Sequence, residues 1–145
     1  MSTAEQIETL KGLLDRVKAA EKSDRQLDRD ICKALLPAEK ERGYHGWRSM
    51  RPKGEDLPAS AYWANSAFVA TGMIDAALAV VGRVLPGWRW VAHSPRSGMV
   101  YGASLSDPAR GGRIVPAEHK VSAPLAICTA LLSAKLALLT QEEAP

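Results

Sequence analysis

From Pro124 to Leu139 the chain is apolar on almost every side of a helix, broken by a single charge at Lys135. The run is shorter than the roughly 20 residues a membrane-spanning helix needs. A helix with so little polar surface must be covered on two sides, which predicts a core helix between a sheet and another helix or subunit. Pro124 suits its first turn, where the missing N–H costs nothing.

The fifty residues before it supply that cover. Ile74, Ala77, Leu78 and Val81 recur at helical spacing after Thr71, a candidate N-cap, and the pattern ends near Arg83. Pro86-Gly87 then turns the chain into Trp88-Arg-Trp-Val-Ala-His, which alternates as a strand does. Trp88, Trp90 and Ala92 share one face, expected beneath the closing helix as interior pillars; Arg89, Val91 and His93 share the other. Ser94 to Gly98 reads as a turn, with Met99, Tyr101, Ala103 and Leu105 on the returning strand. Asp107-Pro108 and Gly111-Gly112 turn the chain again, into a third strand from Arg113 to Val115 that Pro116 is expected to limit. The fold class is therefore α+β, a small antiparallel β-sheet of about three strands layered with helices.

An N-terminal helical hairpin over 1–37 precedes this core. Thr3 with Gln6, and Ser23 with Gln26, have capping-box spacing. Ile7, Leu10, Leu14 and Val17, then Leu27, Ile31 and Leu35, form narrow apolar stripes backed by charge. Stripes so thin need a partner, either the rest of the chain or a second copy, and a homo-oligomer is expected. Residues 38–70 form an irregular arm punctuated by glycine and proline, holding Tyr44, Trp47, Tyr62, Trp63 and Phe68, with one short strand expected near Ser66 to Val69. Hairpin, arm and the 71–140 core fit one domain of 145 residues.

The net charge of +3 is unevenly spread. Residues 1–41 carry eight Lys/Arg against nine Asp/Glu, while residues 42–120 carry ten against five, an excess that suits an anionic partner. Cys32 and Cys128 lie in apolar helical patterns, as buried reduced thiols do, and the first residues lack the basic-then-apolar pattern of a signal peptide. A cytoplasmic protein is expected, with no membrane partner.

Motifs for chemistry are sparse. His45, His93 and His119 stand singly, so no metal site is expected, and neither a phosphate loop nor a dinucleotide fingerprint implies a cofactor. No nucleophile elbow singles out a serine, and no catalytic residue is assigned. The richer signal is arginine beside aromatic residues. Trp47, Arg48, Arg89, His93, Arg96, Tyr101, Arg110 and Arg113 are the candidate ligand-binding residues. Rings can stack on bases and guanidinium forks can grip phosphates, as a bound nucleotide requires. Both N-terminal helices mix charge signs, which disfavours duplex DNA.

Ile74 to Ala79, Val84-Leu-Pro-Gly-Trp-Arg-Trp90 and Ala123 to Leu132, with Asp24-Arg-Gln-Leu-Asp28 ahead of Ile31-Cys32, carry a resemblance. In these segments the chain resembles the phage ABA sandwich domain proteins, small proteins of tailed phages and prophages; residues 38–66 match nothing in that pattern. The resemblance implies a layered fold, a phage origin and a bacterial host cell, and it implies no catalytic residue. A non-enzymatic accessory protein acting by binding is the expectation. It would sequester an anionic nucleotide signal of host defence, or inhibit a host or phage protein through its helices; a small enzyme acting on a nucleotide is the third reading.

Overall fold

The computed structural model describes residues 2–35, 70–93 and 100–143. The expected arm, the strand near Ser66 to Val69 and the turn after His93 lie outside those residues. The elements are α1 (Thr3–Ala19), α2 (Arg25–Leu35), α3 (Ile74–Val84), β1 (Arg89–His93), β2 (Tyr101–Asp107), a 3-10 turn (Pro108–Arg110), β3 (Arg113–His119) and α4 (Ala123–Glu143). The three strands form one antiparallel sheet in the order β1-β2-β3, so the α+β class and the N-terminal helical pair are both present.

α4 is the hub. It packs on β2 and β3 on one side and on α1 and α3 elsewhere, and Leu125, Ala126, Cys128, Ala130, Leu132 and Ala134 are all fully buried. The helix is long and apolar enough to cross a membrane, yet 67% of its most apolar window is buried inside the protein, as a core helix requires. The stripe Ile7, Leu10, Leu13 and Val17 of α1 is also buried, with α4 and α2 as its neighbours, so its cover comes from the chain itself.

Local signals set most boundaries, with small shifts from expectation. The capping box of α1 uses Ser2 and Glu5, one residue before Thr3 and Gln6: Glu5 N–H donates to Ser2 Oγ (3.2 Å) and Ser2 N–H to Glu5 Oε2 (3.0 Å). Asp24, rather than Ser23, caps α2 by accepting from Gln26 N–H and Leu27 N–H. Carboxylates and hydroxyls serve equally well at that position, so neighbouring candidates compete. The hairpin is pinned outside by Arg16 Nη1 to Asp30 Oδ2 at 2.7 Å, an exposed pair worth about 0.2–1 kcal/mol.

Thr71 does not cap α3, whose cap position is Met73 with no side-chain bond. Its N–H and hydroxyl both donate to Asp28 Oδ1 at 2.8 Å, and the hydroxyl accepts from Asp24 N–H at 2.9 Å. The approach to α3 is thereby tied to the start of α2. Pro86-Gly87 makes the expected turn: Trp88 N–H donates to Leu85 C=O (3.2 Å) with Gly87 at φ 82°, a conformation that favours glycine after proline.

β3 runs through Pro116 to His119, beyond the expected stop at Val115. Pro116 is exposed, and β3 is an edge strand, where a missing N–H need cost no ladder bond. At the end of the strand His119 is buried; its Nδ1 accepts from Val121 N–H (3.0 Å), which leaves Nε2–H to donate to Val17 C=O (2.7 Å). This imidazole joins the sheet to the last turn of α1.

Candidate functional site

Alternation along the strands gives the sheet two unlike faces. In register, Trp90 pairs with Leu105 and Leu105 with Val115, while Ala92, Ala103 and Ala117 form the next row. Leu105 and Ala103 are buried, so this is the face against α4. The opposite face carries Arg89, Ser106 and Ile114 in one row, Val91, Ser104 and Pro116 in the next, and His93, Gly102 and Glu118 in the third. Val91 is 59% exposed and Ile114 is 63% exposed, and no described helix packs on that side.

The open face has relief. Its middle strand offers only Gly102, Ser104 and Ser106, while the outer strands carry larger side chains. Two strand spacings separate those walls, roughly 10 Å. The result is a shallow trough with a serine floor, both hydroxyl residues half-buried. One end is closed by His93, whose imidazole lies over Gly102 so closely that any Cβ there would collide with the ring. Arg89 stands at one corner and Glu118 at the diagonally opposite one. The face therefore offers apolar walls, hydroxyl hydrogen-bonding groups and one charge of each sign.

The structure divides the candidate ligand-binding residues. Arg89 and His93 both lie on the open face, at opposite ends of β1, and both are exposed. Tyr101 is half-buried on the α4 side, paired with His119, and belongs to the core. Arg113 is also on the α4 side, at the other end of the sheet. With Trp88, Asp107 and Gln141 it lines a notch of about 20 Å³, room for about one water and no ligand. Arg110 lies in the 3-10 turn with its side chain outside the description, as are Trp47, Arg48 and Arg96 altogether. Arg89, His93, Tyr101 and Arg113 thus do not converge on one site.

The expectation for the two indoles needs correction by half. Trp88 is half-buried and shares its notch with Ala134, Ala137 and Leu138 of α4. Trp90 is 52% exposed. It points to the helix side by alternation, but α4 leans chiefly on β2 and β3, and an edge strand overhangs that cover.

Among the described residues no three His, Cys, Asp or Glu side chains gather as a metal site would require. Cys32 and Cys128 are free and buried; burial pushes the Cys32 thiol up to about 12 and raises Cys128 further, which disfavours thiolate chemistry at either. His119 has both ring nitrogens engaged in structural bonds. No family model, no curated protein and no solved structure matches this chain.

Proposed function

We propose that the chain is a non-enzymatic accessory protein of a phage or prophage that acts by stoichiometric binding, and that its contact surface is the open face of the sheet. A host protein, held so that a defence function is blocked, is the partner class this reading takes. The resemblance to phage ABA sandwich domain proteins supports the origin. The observation that carries the binding reading is the exposure of Val91 and Ile114 beside Pro116 on a sheet face with polar corners. Apolar surface rimmed by polar groups is a common mark of an interaction site. The partner would offer an apolar ridge to the trough, an acid to Arg89 and a base to Glu118. Contact through the helical hairpin is less favoured, since its apolar stripes are spent inside the chain.

The test is retention from bacterial lysate by the immobilised protein and by a Val91→Asp/Ile114→Asp double variant. Both positions are exposed, so the variant is expected to melt within about 1 kcal/mol of the parent. A host protein retained by the parent and lost by the variant is the expected result. Equal retention by both, or none by either, contradicts the reading. A second copy seated on the same face would appear in light scattering as a mass above 15.6 kDa that the variant abolishes.

One observation favours the nucleotide reading as second choice: Arg89, opposite the half-buried Ser106, and His93, opposite Gly102, flank the half-buried Ser104 on one sheet face. Calorimetry with cyclic and linear nucleotides decides it. Heat that disappears on Arg89→Ala supports it; no heat well above micromolar protein rejects it.

A further inference from the structure

Lys135 is the single charged residue of α4 between Ala123 and Gln141, and helix packing does not call for it. It is half-buried and has no ion pair or hydrogen bond among the described residues. Lys33, at the end of α2, is likewise without one. Both line the same groove, of about 370 Å³, whose other walls are Gln6, Thr9, Leu10, Ala34, Leu35 and Leu139. No carboxylate is among the described residues that line it.

Lys33 is exposed and Lys135 half-buried, and long lysine stems can carry both ammonium groups to the rim of this concavity. An anion placed between them would pair with both. The leucines of the same groove recognise the opposite chemistry, since Leu10 and Leu139 form an apolar floor that a polar ion would leave unused. Small-molecule pockets run from about 300 to 1,000 Å³, so this one suits a single short chain rather than a two-chain lipid. We propose that the groove between α1, α2 and α4 binds an amphipathic anion: a short acyl or alkyl chain laid on Leu10, Leu35 and Leu139, with a carboxylate or phosphate head between Lys33 and Lys135. Gln6 and Thr9 stand beside the groove as hydrogen-bonding groups for the head. The site is independent of the open sheet face.

The test is calorimetry on the full chain with decanoate, decyl phosphate and decanol. Both anions are expected to bind at least about tenfold more tightly than decanol, a difference of about 1.4 kcal/mol. Lys33→Gln and Lys135→Gln should each weaken the anions by about tenfold, leave decanol unchanged and leave the melting temperature unchanged. A preference for decanoate identifies a carboxylate head, and a preference for decyl phosphate a phosphate head. Arg89→Ala should alter none of these affinities, which keeps the result distinct from the sheet-face reading. Absence of binding by both anions below millimolar concentration overturns the proposal. So does equal binding of decanol, or anion binding by the lysine variants as tight as by the parent.

Discussion

Replacing Leu131 with alanine is expected to destabilise the protein by about 3–5 kcal/mol, among the largest effects any single side chain here can produce. Leu131 is 1% exposed and sits in the middle of α4, a helix that packs on the sheet, α1 and α3 together. Truncation removes its contacts and leaves a cavity that neighbours on several elements cannot close at once. Urea unfolding should show the midpoint falling with the slope unchanged. Ile114→Ala, which removes a comparable apolar side chain from the open face, should cost less than about 1 kcal/mol. Similar losses for the two variants would contradict the placement of α4 at the centre.

The second large effect is at Asp28, fully buried on α2. Its Oδ1 receives both the N–H and the hydroxyl of Thr71, while Oδ2 is buried without a partner among the described residues. Asp28→Ala orphans the buried Thr71 N–H, leaves the Thr71 hydroxyl only its longer 3.4 Å bond to Asp24 C=O, and should cost about 2–4 kcal/mol. Asp28→Asn keeps an oxygen for Thr71 and should cost far less. The pair differs in pH dependence as well. Burial pushes the Asp28 carboxyl above its ordinary range, against the lowering effect of the Thr71 hydrogen bonds. The folded state therefore holds this proton more tightly than the unfolded chain does. The stability from this group is fully present below the ordinary carboxylate value and is lost as pH rises through the raised folded-state value. Melts of the parent and Asp28→Asn, compared from about pH 4 upward, should diverge in the parent's disfavour as pH rises. Parallel curves, or an asparagine variant as unstable as the alanine one, would refute this account of the Asp28–Thr71 link.

Much of the fold was legible because its signals are local. Pro86-Gly87 needs only its own dihedrals to turn the chain, and the strand alternation around Trp88 to His93 needs only a period of two. What stayed hidden depends on partners distant in sequence. Thr71 has the chemistry of a cap, but Asp28, 43 residues away, takes its hydroxyl. Trp90 lies on the helix side of its strand, yet its exposure follows from β1 being the edge that α4 covers least. Pro116 looked like a stop because nothing local says that β3 is an outer strand.

The candidate site was legible in part for the same reason. Alternation put Arg89 and His93 together on one side of β1. It also put Tyr101 on the same side of β2 as Ala103 and Leu105, a parity that outweighs the chemical appeal of its ring. The small residues Gly102, Ser104 and Ser106 were the missed signal for the trough. Lys135 inside an apolar helix was the missed signal for the groove, visible in the sequence but without a face until α2 supplied Lys33.

Thiol labelling tests most directly the central claim, that α4 covers one face of the sheet and leaves the other open. Cys32 and Cys128 are buried with raised thiol pKa values, so the parent protein should react with a maleimide only as fast as it unfolds. Val91→Cys and Ile114→Cys are predicted to label at rates close to those of the denatured chain, with one equivalent taken up in each. Protection of both introduced cysteines to the level of Cys128 would show that the face is covered, and would contradict the account.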